Sequence, residues 1–79
     1  MNKTEAVFRT RDLNLASFLK AKNYSLLDVE KSGSIATFVF ENDEDMQSLI
    51  TSFYNDNEMV KANKLLSSQR DLKSLVHNL

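Results

Sequence analysis

Met46, Leu49, Ile50 and Phe53 recur at i, i+3, i+4 and i+7, the spacing that sets apolar side chains along one face of an α-helix. The run Asn42-Asp43-Glu44-Asp45 opens this helix with a capping side chain and first-turn acids, and Tyr54-Asn55-Asp56-Asn57 breaks it. Earlier in the chain, Leu13, Leu15, Ala16, Phe18 and Leu19 form a broad apolar stripe that closes at Lys20-Ala21-Lys22-Asn23. Thr10 is the expected N-cap of that helix, with Asp12 in its first turn where a carboxylate favours the dipole. A last helix is expected from Glu58 to Leu79. Its positions Ala62, Leu65, Leu72, Val76 and Leu79 are spaced by threes and fours, and Gln69 fills the one polar slot. At 1.5 Å per residue such a helix spans about 33 Å, long for so small a body.

Between the helices the period falls to two. Ala6 to Arg9 is a short β-prone run, and Tyr24 to Lys31 and Ser34 to Glu41 read as two longer strands. Lys31-Ser32-Gly33-Ser34 joins them and holds the only glycine, where a hairpin turn needs positive φ. Ile35-Ala36-Thr37-Phe38-Val39-Phe40 is apolar on both faces, with Phe38 and Phe40 toward one layer and Ile35 and Val39 toward the other. Such a strand belongs in the middle of a sheet. The expected fold class is therefore α+β: one domain over residues 1–79, ordered β-α-β-β-α-α. Its antiparallel sheet has order 2-3-1, with the helices mainly on one face.

Composition narrows the chemistry. A content of 42% apolar and 27% charged residues is that of an ordinary globular chain. The absence of cysteine removes disulfides and thiolate zinc sites, and a lone histidine, His77, cannot build an imidazole-rich site. Of the usual supports for a small domain, oligomerisation remains. No apolar run approaches the roughly 20 residues of a membrane helix. Met1-Asn2-Lys3-Thr4-Glu5 lacks the apolar stretch of a secretory signal, so a cytoplasmic location and no membrane partner are expected.

The acids Glu41 to Asp45 lack the spacing, glycine and terminal glutamate of a calcium loop, and helix capping accounts for them. Asp28 and Glu30 alternate with Leu27 and Val29, as solvent-facing positions of a strand do. His77 falls in the last turn of the last helix, where an imidazolium meets the dipole. None of the nine serines sits in a G-x-S-x-G turn, and one glycine leaves no phosphate-cradling loop. No catalytic, cofactor-binding or metal-ligating residue is assigned, and no cofactor is expected.

Two surfaces stand out. Arg9 and Arg11 lie at i and i+2 where a strand passes into a helix; Lys20 and Lys22 close that helix, and Lys31 sits at the hairpin. Lys61, Lys64, Arg70 and Lys73 line the last helix. Convergent bases would hold nucleic-acid phosphates, but eleven acids interleave with ten bases and the net charge is −1. The second surface is the last helix, where the heptad-like series through Leu65, Gln69, Leu72 and Val76 either covers the core or pairs with a second copy or another protein.

The segment Phe8-Arg9-Thr10-Arg11-Asp12-Leu13-Asn14-Leu15-Ala16-Ser17-Phe18-Leu19 follows the pattern aromatic-basic-Thr-basic-Asp-Leu-x-Leu-Ala-x-Phe-Leu. Together with Asp28-Val29-Glu30, Thr37-Phe38-Val39-Phe40-Glu41-Asn42-Asp43 and Arg70-Asp71-Leu72-Lys73-Ser74, it resembles a group of small bacterial, archaeal and phage or viral proteins classed only as a domain of unknown function. The resemblance covers roughly residues 8–75 and departs at Asn23, where a glycine is usual. It implies a compact module common in mobile genetic elements, with no activity to transfer. It also draws attention to Arg11, for which helix capping gives no reason.

The leading expectation is a non-enzymatic interaction or accessory module of phage or mobile-element origin, acting through a protein partner or as a homodimer. The alternative is a nucleic-acid-associated protein using Arg9, Arg11, Lys20, Lys22 and Lys31. A hydrolytic enzyme built on Asp28, Glu30 or Asp12 ranks third.

Overall fold

The computed structural model describes residues 7–79. Strand β1 (Val7–Thr10), helix α1 (Leu13–Ala21), strands β2 (Leu26–Ser32) and β3 (Ile35–Glu41), and helices α2 (Met46–Tyr54) and α3 (Ala62–His77) give the expected order β-α-β-β-α-α. The start of the first strand at Ala6 lies outside the described residues. The strands form one sheet of order β1-β3-β2, which is 2-3-1 read from the other edge, with both pairs antiparallel. Central β3 pairs Phe40 with Phe8 on one side and with Leu26 on the other. The fold is α+β.

Local chemistry sets most of the boundaries. Gly33 takes φ +61, and no other hairpin residue has positive φ, the arrangement of a II′ turn between paired Ser32 and Ile35. Asn23 ends α1 in the left-handed region at φ 74. Its side-chain oxygen accepts from Lys64 Nζ at 3.1 Å, a bond that glycine would lack. Asp56, at φ 59, turns the chain after α2.

Four expectations need correction. The N-cap of α1 is Asp12, whose Oδ1 accepts from the amides of Asn14 (2.9 Å) and Leu15 (3.2 Å). Thr10 instead pairs with Phe38 in the sheet, and its Oγ1 accepts from the Asp12 amide. The acids before α2 lie outside its first turn: Asp43 Oδ1 accepts from the Asp45 amide at 3.0 Å, closing a turn that leads into Met46. In β2 a bulge at Leu26–Asp28 breaks strict alternation, so Leu26 packs toward the core and Leu27 is exposed. Finally, α3 starts at Ala62, not Glu58, because Lys61 supplies no capping side chain and the preceding residues are not helical. Its 16 residues span about 24 Å, well inside the 37 Å long axis, so α3 is not over-long.

The helices cover one face of the sheet. Phe38 and Phe40 of β3 meet Leu15, Phe18 and Leu19 of α1, Met46 and Ile50 of α2, and Leu72 of α3 in a single core. Helix α1 buries every residue from Leu15 to Leu19, which makes it the middle helix and not a half-exposed one. Phe18 stacks on Phe53 of α2 with ring centroids 4.6 Å apart. Its other neighbour is α3, approached through small residues on each side, Ala16, Ser17 and Ser68 being buried. Ser17 returns its hydroxyl to the Leu13 carbonyl at 2.7 Å, so this buried polar group is satisfied. The opposite sheet face carries Arg9 of β1 and Glu30 of β2, which form an ion pair at 3.5 Å across β3.

Candidate functional site

Seven of the basic residues fall into two groups, while Lys64 donates to Asn23 and Lys61 and Arg70 belong to neither. Arg9 pairs with Glu30, Lys20 of α1 with Asp71 of α3 (3.6 Å), and Lys22 with Glu58 (3.3 Å). Lys22 also lies 5.7 Å above the Phe18 ring. These three cations tie elements of the fold together, and their charges are locally balanced. The basic edge drawn through Arg9, Arg11, Lys20, Lys22 and Lys31 is therefore not gathered on one surface.

The second group is gathered. Arg11, in the link between β1 and α1, Lys31 near the hairpin end of β2, and Lys73 and His77 of α3 all line one depression. Its floor is apolar, made by Leu13 at the start of α1, Ala36 and Phe38 of β3, and Val76 of α3. The depression has a volume of about 470 Å³, inside the range of about 300–1,000 Å³ typical of ligand clefts. Among the described residues no carboxylate lines it, and Arg11, Lys31 and Lys73 form no ion pair. All four rim residues are exposed.

Topology explains the gathering. Thr10 pairs with Phe38, so the chain leaves β1 toward the hairpin end of the sheet, carrying Arg11 there. Lys31 opposes Ala36 at that same end. Helix α3 packs on α1 and crosses β2, and residues 73, 76 and 77 share a helical face at i, i+3 and i+4. Arg11, which capping left unexplained, thus stands at the mouth of a cleft. Nothing in the sequence ties Lys73 and His77 to Arg11. The only local signal was their i, i+4 spacing beside Val76.

The stripe on α3 is taken up inside the chain. Leu72 is fully buried in the core, Leu65 and Val76 pack against it, and Gln69 donates to Asn14 Oδ1 of α1 at 3.2 Å. The seam through Leu65, Gln69, Leu72 and Val76 is thus an α1–α3 contact, and Leu72 offers nothing to a second copy.

The carboxylates are occupied separately. Asp28 accepts from the next amide, that of Val29, at 2.8 Å, Glu30 holds Arg9, and Asp12 caps α1. At the far end of β3, Glu41 Oε2 accepts from the Ser25 amide at 2.8 Å, and Asp43 accepts from the Tyr24 hydroxyl at 2.9 Å. Burial, then the hydrogen bond to Asp43 and the charges of Asp43, Asp45 and Glu41, push the Tyr24 phenol up to about 12. Among the described residues no three His, Asp or Glu side chains cluster in a way that would hold a metal ion, and no helix is long and apolar enough to cross a membrane.

No curated protein and no solved structure matches the chain. A family model matches it over residues 5–78, nearly its whole length, and that family is described as Domain of unknown function (DUF5659). The sheet, the three helices and the cation-rimmed depression thus belong to a member of the DUF5659 family.

Proposed function

We propose that the protein is a non-catalytic interaction module that acts through protein contacts, with the cation-rimmed depression as its contact surface. The observation that carries this reading is the placement of Arg11, Lys31, Lys73 and His77, from three separate parts of the chain, around an apolar floor with no acid among the described lining residues. The charges of Arg11, Lys31 and Lys73, gathered without counter-charges among the described residues, oppose one another, and such an arrangement is maintained where a ligand completes it. Among the described lining residues His77 has no carboxylate or hydroxyl beside it, the partner that acid–base or nucleophilic catalysis would need. The lack of cysteine suits a reducing cytoplasm. Origin in a phage or other mobile element rests on the resemblance noted above.

The test is a selection from a randomised peptide library on the wild-type protein and on a variant with Arg11→Glu, Lys31→Glu and Lys73→Glu. Enrichment on the wild type that is lost on the variant supports the reading. Peptides that bind both proteins equally place the contact surface elsewhere and overturn it. Retardation of an oligonucleotide at low salt, abolished by the same three substitutions, would instead favour nucleic acid.

A further inference from the structure

We infer that the occupant of the depression is a short acidic segment of a partner protein carrying one bulky apolar side chain, an inference that rests on the interaction-module reading above. Leu13, Ala36, Phe38 and Val76 present carbon to the cleft with the charges set around them. A ligand that satisfies both must bring an apolar group to the centre and carboxylates to the periphery. Recognition of this kind places desolvated apolar contact at the middle of an interface and charge at its rim, where charge sets encounter rate and selectivity.

Two other occupants fit less of what is present. A single-stranded nucleic acid needs exposed aromatic faces for its bases and a continuous basic track for its backbone. Phe38 is the one aromatic residue in the lining and is only 3% exposed, and Arg9, Lys20 and Lys22 are held by Glu30, Asp71 and Glu58. A second copy would offer Leu27 beside Asp28 and Glu30, or Met59 beside Glu58, but those acids are already held by the Val29 amide, Arg9 and Lys22, and its acidic stretch Glu41-Asn42-Asp43-Glu44-Asp45 has no apolar side chain to seat. The partner is therefore a different protein, with an acidic segment built around one apolar anchor.

The experiment titrates the full chain with a short synthetic peptide holding one leucine flanked on both sides by aspartates. Two twins accompany it, one with serine for the leucine and one with lysines for the aspartates, together with an oligothymidylate. Binding is read by nuclear magnetic resonance and by calorimetry. The leucine–aspartate peptide is expected to shift the methyl resonances of Leu13 and Val76. The serine twin should bind roughly tenfold or more weakly, given the transfer energy of a buried leucine, and the lysine twin should not bind. Arg11→Glu, Lys31→Glu and Lys73→Glu should each weaken binding by about tenfold while keeping the native amide dispersion, since all three side chains are exposed. Equal binding by the leucine and serine peptides would overturn the inference, as would tighter binding of the oligothymidylate at the same resonances. Occupancy of the depression by the lysine twin would also overturn it, yet leave the interaction-module reading standing. If no probe moves any resonance of the depression and the library selection also fails, both fall.

Discussion

The Tyr54 hydroxyl donates to Asp12 Oδ2 at 2.8 Å while the other oxygen of the same carboxylate caps α1 through the amides of Asn14 and Leu15. One aspartate thus joins the C-terminal end of α2 to the N-terminus of the middle helix, across 42 positions of sequence. Asp12→Ala removes the cap and strands the phenol, and should cost about 1–2 kcal/mol in urea unfolding. Tyr54→Phe leaves the cap in place and should cost about 0.5–1 kcal/mol. The double variant should be less destabilised than the sum, since both changes remove the same bond. Full additivity would show that the two groups act independently.

Tyr24 makes the corresponding link at the other end of β3, and its environment is acidic. Its phenol titrates at about 12 in the folded protein against 10.0 ordinarily. Tyr54 is also raised, first by its hydrogen bond to Asp12. A pKa raised on folding means that the protonated form is favoured in the native state. The stabilisation is complete below pH 10 and is lost as the pH rises toward 12, where the unfolded chain has already released the proton. Lysines titrate in the same window, so the informative comparison is with Tyr24→Phe. That variant should show a shallower loss of stability between these limits. Tyrosinate absorbance of the native protein should rise late and jump on unfolding; a rise centred at 10 would contradict the Asp43 contact.

Asn23 occupies the left-handed region at the end of α1 and also uses its side chain, accepting from Lys64. Asn23→Gly relieves the backbone and loses that exposed contact, so the two effects should cancel to within about 0.5 kcal/mol. Asn23→Val places a β-branched residue at positive φ and should destabilise by about 1–3 kcal/mol. If valine were tolerated as well as glycine, the turn would have to be remade in another conformation, visible as changed amide shifts at Lys22 and Tyr24.

These residues also show what was legible in the chain. The uninterrupted apolar run from Ile35 to Phe40 marked the central strand, and the order of the sheet follows once that strand is placed between its neighbours. The single glycine marked the hairpin, and Asn23 kept its turn. What escaped depends on competition or distance. Thr10 and Asp12 are both good caps, and the sheet claims Thr10 by pairing it with Phe38. A one-residue bulge has no signature in an alternating strand, so Leu26 and Leu27 exchanged faces. The start expected at Glu58 overran α3, whose apolar spacing begins at Ala62, because no capping side chain precedes that residue. The depression was not legible, because Arg11, Lys31 and Lys73 meet only through the path of β1, the hairpin and the crossing of α3 over β2.

Leu72 tests the assignment of the α3 stripe to the core. It is fully buried against residues of both sheet and helices, so Leu72→Ala should cost about 2–5 kcal/mol. Truncation after Arg70 removes it entirely and should leave the chain unfolded by circular dichroism. A folded truncated chain would mean that the core closes without α3.

The two groups of bases should separate by stability as well as by binding. Arg9, Lys20 and Lys22 have counter-ions, and removing any of them breaks a link between elements. Alanine at Arg9 or Lys20 should therefore cost about 0.2–1 kcal/mol. Lys22→Ala should sit at the upper end of that range, because it also loses its place over Phe18. Arg11, Lys31 and Lys73 line one cleft with no acid among its described lining residues. Neutralising one of them relieves repulsion, so glutamine at each position should leave stability unchanged or raise it by a few tenths of a kcal/mol. Such a gain should fade as salt is added, since exposed charges are screened over about 10 Å at 0.1 M. Thermal unfolding of all six variants at low and high ionic strength checks this. A loss of more than about 1 kcal/mol at Arg11, Lys31 or Lys73 would make that residue part of the scaffold and would remove it from the binding surface.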